Sequence, residues 1–382
     1  MNVFITGGAG FIGRNLIRKL IAEGHTCLIL DCFSPQIHEV GVRYPELSLP
    51  GVEVITGDVR DREVVLACLH RCDAIVHLAA ETGTGQSMQQ IERYYDVNVR
   101  GTALLLDCLT GMGKNRPQRL VLASSRAIYG EGAYRNGNQK LVHPPARKVS
   151  DMDRGIFDPV CAKDGTPLTA VATAEEAPPR PTSVYGASKF AQEQLSLLQM
   201  DALGLSCTAL RFQNVYGPGQ SLKNPYTGIL AIFTNLARKH ETMQIFEDGL
   251  ESRDFVFIND VVSALYASLV DPRCGCFTYN IGAGVPVTVL EIAQRLVARL
   301  GSKSQIVVSG AYRVGDIRHN IADITKARRE LNYQPKTSFA VGLEQFVSWA
   351  LESPAMDTGY RRSLSELEAV GLFRQCSPKS AS

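Results

Sequence analysis

The chain has almost no net charge. Its 40 basic side chains face 38 acidic ones, a formal balance of +2 over 382 residues, which excludes the broad basic field that a nucleic-acid binder uses to hold phosphates. Any anion site must therefore be local. Long apolar runs are also missing: no stretch approaches the roughly 20 residues needed to cross a bilayer. The opening Met1-Asn2-Val3-Phe4-Ile5 reads as a strand, without the basic segment ahead of an apolar one that a secretory signal requires. Ten cysteines, at 27, 32, 68, 72, 108, 161, 207, 274, 276 and 376, lack the paired spacing of four-ligand zinc sites. They read as reduced thiols, so no metal is expected and the cytoplasm is the expected location. No internal repeat is visible.

What is present is alternation. With 45% hydrophobic residues the chain can bury a large core, as one two-lobed unit or two domains. Val3 to Ile5 is a short apolar run closed by glycines. Phe11 to Ala22 then has helical spacing at Phe11, Ile12, Leu16, Ile17 and Leu20. Strand and helix patterns continue to alternate through Ala123, which predicts an α/β fold, a Rossmann-type doubly wound parallel sheet. Between Gly130 and Thr182 the pattern stops, so 131–182 is expected to be a long insert over the surface. A helix at 183–203 and a strand at 206–211 resume the alternation. Residues 1–217, completed by about 246–275, are assigned to a dinucleotide-binding domain. A smaller mixed α/β substrate-binding lobe takes 218–245 and 276–350, and 352–382 reads as a loosely held polar tail.

Glycines at 7, 10 and 13 stand directly after the first strand and at the mouth of the first helix. In that place Gly7 permits a tight turn, Gly10 lets the backbone approach a pyrophosphate, and Gly13 lets the helix lie close on the sheet. Phe11 and Ile12 lie between them and join the candidate cofactor set. Asp31, at the end of the next strand, can accept from both hydroxyls of an adenosine ribose and would repel a 2'-phosphate, which favours NAD over NADP. Arg14 could soften that preference. Asp58, with Val59 beside it, follows the third strand and could hold the adenine amino group; a turn-forming Asp is the plainer alternative.

Tyr185 and Lys189 are four apart at the start of a predicted helix and so share a face. A free tyrosine has a pKa near 10, and an adjacent ammonium plus an oxidised nicotinamide would favour the phenolate that removes a sugar hydroxyl proton. A shift of about three units needs roughly 4 kcal/mol. Ser124 and Ser125 end the apolar run 120–123, at the carboxyl edge of a strand where open sheets bind ligands. Ser125 could relay the proton to Tyr185, or could simply cap a helix.

These segments, with His77-Leu78-Ala79-Ala80, Asn98 to Thr102, Arg211 to Pro218, Arg253 to Val256 and Gly315 to His319, resemble the extended short-chain dehydrogenase/reductases of the nucleotide-sugar epimerase and dehydratase family. The likeness covers roughly residues 1–350. It implies that Leu78, Ala79 and Ala80 line the cofactor, that Asn98 lies near it and that Thr82 and Ser87 face the sugar. It further implies that Asn214, Arg253, Arg313 and Asp316 hold the nucleotide diphosphate and ribose. Surface charge is the plainer reading of the arginines, although forked guanidinium donors suit phosphate. A homodimer packed through helices at about 89–110 and 183–203 is implied as well.

Family dehydratases place an Asp-Glu pair directly after the residue equivalent to Ser125. Here Arg126 and Ala127 stand there, which argues against 4,6-dehydration and against decarboxylation. Arg126 joins the substrate-facing set. The expected reaction is C4 epimerisation of a nucleotide-diphosphate sugar through a 4-keto intermediate. Within the family, 124–132, the 85–88 loop and the insert most resemble the branch of dTDP-L-rhamnose 4-epimerases. A one-way 4-keto reductase or dehydrogenase, and a non-catalytic nucleotide-binding scaffold, are the alternatives.

Overall fold

A computed structural model describes residues 1–38, 42–224, 228–353, 355–356 and 359–376. Five strands open the chain: β1 (Asn2–Thr6), β2 (Thr26–Asp31), β3 (Val52–Thr56), β4 (Ala74–His77) and β5 (Arg119–Ser125). With Ser206–Phe212 and Cys276–Ile281 they form one parallel sheet in the order β3-β2-β1-β4-β5, then 206–212, then 276–281. The order reverses between β1 and β4, which opens a crevice above their carboxyl ends.

The strands are buried on both faces, so their side chains serve two cores in alternation. Val3, Ile5, Cys27, Ile29 and Val76 face one core with Leu16 and Ile17 of the helix α1 (Phe11–Ala22) and with the helix Ile258–Val270. Phe4, Leu28, Leu30 and Ile75 face the other, with α2 (Arg62–Leu69) and the helix Gly101–Gly111. A one-residue slip of any strand would exchange these sets, which is why the register holds.

The smaller lobe has a mixed sheet. Asn214–Tyr216 pairs parallel with Ser252–Phe257, which also pairs with Pro286–Thr288 and His319–Asn320. Helices Ile229–Arg238, Val289–Leu300 and Phe339–Leu351 pack around it. The strand Cys276–Ile281 lies in the main sheet, so the expected lobe boundary at 276 comes one strand too early, and Asn214–Tyr216 and Ser252–Phe257, expected in the dinucleotide-binding domain, belong to this second sheet. The first three residues of Cys276–Ile281 are only partly buried, as suits a sheet edge, and this weakens its apolar signal.

Two expectations change in the structure. The insert is not confined to the surface. It forms a small antiparallel sheet from Ala133–Arg135, Leu141–Val142 and Thr169–Val171 and sends a buried cation into the smaller lobe. Arg147 lies 3.0 Å from Glu131 and 2.8 Å from Glu247, and donates to the carbonyls of Phe157 and Asp316. Arg318 completes the cluster against Glu247, Asp248 and Asp158. Periodicity cannot reveal such a clamp, because its members are charged and far apart in the chain. Nor does the tail hang free where it is described. The helix Tyr360–Ala369 leads to Phe373–Gln375, which pairs with Ala311–Arg313. Ring contact between Phe373 and Phe246 at 5.1 Å and burial of Leu364 and Leu367 hold it down. Residues 377–382 lie outside the described residues.

Replacing Arg147 by Met leaves Glu131 and Glu247 buried with like charges and one fewer partner. Removing one member of a buried pair costs about 3–5 kcal/mol. Urea unfolding of Arg147→Met should show a loss of that order, with faster proteolysis inside 131–182; unchanged stability would show that the clamp contributes nothing.

Candidate active site

The turn after β1 is shaped by backbone proximity. Gly7 has φ +68°, and a Cβ there would lie 2.8 Å from the backbone of Ala79. At Gly13 a Cβ would stand 2.4 Å from the carbonyl oxygen of Gly8, so the first turn of α1 could not rest where it does. No side chain caps α1 at Gly10, so its first-turn N–H groups are left for a ligand. Asp31 accepts from the N–H groups of Ala9 (3.0 Å) and Phe33 (2.9 Å), and His38 lies 3.4 Å away. This uncapped, glycine-walled cradle beside a carboxylate fits a dinucleotide: the amides suit its pyrophosphate and Asp31 suits a ribose.

One cleft of about 1440 Å³ runs from this cradle past the ends of β4 and β5. It is lined by Gly7, Gly10, Phe11, Ile12, Gly13, Asp31, Asp58, Val59, Leu78, Ala79, Ala80, Thr82, Ser124, Ser125, Arg126, Tyr185, Lys189 and Asn214, so most sequence-derived candidates converge. Asp58 is held by Arg60 through 2.8 and 2.5 Å contacts, which keeps its carboxyl below the usual range.

Ser183 caps the long helix Val184–Ala202 by accepting from Gly186 N–H, and this sets the first turn that carries Tyr185. The phenol is walled by protein on most sides but keeps part of its surface open to the cleft. Burial raises its pKa, while a hydrogen bond with Ser125 and the Arg126 cation oppose the rise. Ser125 itself accepts from Ala127 N–H at 3.1 Å, so it caps a short turn as well as facing Tyr185.

Lys189 is 3% exposed. Its amine donates to the Ala123 carbonyl (2.8 Å) and to Gln192 Oε1 (3.0 Å), and burial lowers its pKa to about 7. Gln192 Nε2 donates to Thr102 Oγ1 at 2.7 Å, and His77 Nε2 meets the same hydroxyl at 2.8 Å. Burial, then the nearby lysine, pushes His77 down to about 3, so its ring is neutral. Gln192 is a site residue that sequence reasoning missed, although its spacing three residues from Lys189 places both on one helix face.

Five candidates are not among the residues that line the cleft: Asn98, Ser87, Arg253, Arg313 and Asp316. Asn98 is fully buried, with its amide spent on the backbone of Glu81 and on Ser188 Oγ. Ser87 is also fully buried; it donates to Thr84 O and accepts from Tyr185 N–H at 3.0 Å. Both brace the walls instead. Sequence position alone could not separate lining from bracing, since the two lie a single layer apart.

At the far end, Arg126 Nε donates to Asn214 Oδ1 at 2.8 Å. Arg126 is held down to about 9 by burial and by the charge of Arg253, with Asp316 and Tyr185 near enough to oppose the shift. Arg253 donates to the carbonyls of Ser252, Ile317 and Arg318. Arg313 pairs with Asp316 at 2.7 Å and lies over the Phe246 ring.

Sheet order, glycine turn and the Ser-Tyr-Lys set together define a dinucleotide-binding protein of the extended short-chain dehydrogenase class. More particularly, the chain belongs to the NAD dependent epimerase/dehydratase family, whose model matches residues 3–150 and 160–282. It is 38% identical to a dTDP-L-rhamnose 4-epimerase of Burkholderia thailandensis, over 91% of this chain and 94% of that one. Among solved structures it resembles a UDP-glucose 4-epimerase of Thermotoga maritima with UDP-glucose (TM-score 0.74, 28% identity, 92% of this chain, 99% of the other). It also resembles a dTDP-glucose 4,6-dehydratase of Streptomyces venezuelae with NAD bound (TM-score 0.75, 27%, 92% and 98%). The enzyme is thus NAD-dependent.

The buried lysine leaves a thermodynamic trace. Below about pH 7 the amine is protonated in folded and unfolded chains alike. Between there and the ordinary lysine value near 10.4 the folded chain binds one proton fewer, so this group's contribution to stability rises with pH. In urea titrations the unfolding free energy of the native protein minus that of Lys189→Met should therefore climb from pH 7 to pH 10. A flat difference would show that the buried amine keeps its proton.

Proposed function

We propose that this enzyme inverts C4 of a nucleotide-diphosphate sugar through a transient 4-keto sugar, with dTDP-L-rhamnose as the leading candidate substrate. The observation that carries the reading is the chemistry beside Ser125. The cleft-lining carboxylates among the described residues are Asp31 and Asp58, at the dinucleotide end, and Glu81, which is paired with Arg93 at 2.8 Å. Next to Ser125 stand Arg126 and Ala127, neither of which supplies the acid or base that water elimination needs. What the residues do support is removal of one hydroxyl proton and its return. Tyr185 takes the proton, Ser125 hydrogen-bonds at the same oxygen, and the Lys189 amine favours the phenolate. Bound NAD supplies the hydride acceptor and, once reduced, the donor. The 38% identical Burkholderia relative supports the rhamnose assignment.

Incubation of the purified protein with dTDP-L-rhamnose and no added NAD should give the C4 epimer by NMR, and Tyr185→Phe should lower turnover by about 10²–10⁴-fold while retaining NAD. Strict dependence on added cofactor would replace this cycle with a one-way 4-keto reductase or dehydrogenase. Turnover unaffected by Tyr185→Phe would remove the tyrosine as base.

The protein is further proposed to be a homodimer. Ile91 and Tyr95 on one helical segment, and Leu195 and Leu198 on the long helix, present large apolar side chains to solvent, Leu198 being 67% exposed. Leu105, by contrast, is buried in the core of its own chain. Ten free cysteines suit a reducing compartment, which supports the cytoplasm. Light scattering should give twice the chain mass, and Leu198→Arg should give monomer; a monomeric native protein would sink the dimer.

A further inference from the structure

Arg126 lines the cleft, the charge of Arg253 acts on it from behind the wall, and nearby acids are already committed. Among the described residues neither Arg126 nor Arg253 belongs to an ion pair. Asp316 is bonded to Arg313 at 2.7 Å. The Asp254 carboxylate accepts from the N–H groups of Ala283, Gly284 and Ala322. Arg253 is steadied by the carbonyls of Ser252, Ile317 and Arg318. Arg126 uses Nε on Asn214, and its two terminal nitrogens take no protein acceptor among the described residues. The Arg253 charge opposes that of buried Arg126, and an incoming anion relieves the repulsion.

We propose that Arg126, backed by Arg253, is an anion anchor that grips an oxyanion of the substrate, on its diphosphate or on a sugar carboxylate. The inference rests on the nucleotide-sugar reading above and deepens it. Arg126 stands in the turn immediately after Ser125, so an anion bound there is held at a fixed reach from the Tyr185 phenol. A guanidinium suits an oxyanion because it is planar, keeps its charge and offers parallel donors to two oxygens. The Nε bond to Asn214 fixes the plane of the fork, leaving the terminal pair for the ligand.

Calorimetric titration of the NAD-loaded protein tests this without relying on turnover. The ligands are thymidine diphosphate, uridine diphosphate, UDP-glucose and UDP-glucuronate, with the native protein compared against Arg126→Met and Arg126→Lys. Arg126→Met should bind the nucleoside diphosphates at least about tenfold more weakly, and Arg126→Lys should recover part of the loss, since it restores charge without the fork. If the diphosphates are unaffected but UDP-glucuronate loses affinity relative to UDP-glucose, the anchored oxyanion is the sugar carboxylate. Unchanged affinity for all four ligands in both variants overturns the proposal. Should Arg126→Met fail to fold, Arg126→Lys alone decides, with weaker oxyanion binding supporting the anchor and native affinity overturning it. A native protein that binds none of the four sinks the nucleotide-sugar reading itself, a result distinct from native binding with indifferent variants.

Discussion

A lysine amine taken out of water must find acceptors in the directions it presents, and the arrangement around the cleft follows from that requirement at Lys189. The first acceptor is the Ala123 carbonyl of β5, so the helix carrying Tyr185 is pinned to the sheet beside Ser125. The second is Gln192 Oε1. Because the amine donates to that oxygen, the amide faces one way, and its nitrogen is thereby aimed at Thr102. The Thr102 hydroxyl donates to the Asn98 carbonyl and so can only accept from Gln192 and from His77 Nε2. His77 must then carry its proton on Nε2, leaving Nδ1 to accept from Thr6 at 2.6 Å. Thr6 Oγ1 also accepts from Ala79 N–H, next to the glycine turn. Each donor and acceptor role follows from the one before it, from the lysine to the dinucleotide cradle.

That chain explains why the histidine is neutral and why its neutrality matters. A protonated His77 would have to donate from both nitrogens, and Nδ1 would then confront a hydroxyl whose proton must find another acceptor in a sealed layer. It would also set a positive charge near the Lys189 amine, and the two would repel. Burial excludes that state. The network is thus satisfied in one protonation pattern, which is the condition under which buried polar groups specify a structure instead of weakening it.

What could be read in the sequence was what is local along it. Gly7, Gly10 and Gly13 lie close along the chain, as do Tyr185 and Lys189, and their spacing alone pointed to the shared faces on which they line one cleft. Strand alternation gave the parallel sheet through β5, because strands buried on both sides leave dense apolar runs. The relay is invisible for the opposite reason: Gln192 and Thr102 are 90 residues apart, and no periodic signal joins a threonine to a glutamine. The same holds for Arg147, whose partners lie in the insert and in the smaller lobe. Asn98 and Ser87 show a subtler limit. Their positions along the chain were informative, yet whether a side chain lines a cleft or braces it depends on its rotamer and on one layer of packing.

The two ends of the cleft are therefore built on different principles, with consequences for specificity. The dinucleotide end is held by backbone: glycines that admit no Cβ, helix amides without a cap, and Asp31 fixed by two N–H groups. Changes there collide with main chain, so the cradle has little freedom to vary. The other end is built from side chains: Arg126 after β5 and Asn214 line the cleft, and Arg253 and the 313–318 loop, which Arg147 of the insert grips through the Asp316 carbonyl, stand behind them. Single substitutions there alter charge and reach while leaving the sheet untouched. Under the epimerase reading proposed above, the choice between eliminating water and inverting a carbon turns on the two residues after Ser125, since Tyr185, Lys189 and the dinucleotide cradle are anchored elsewhere.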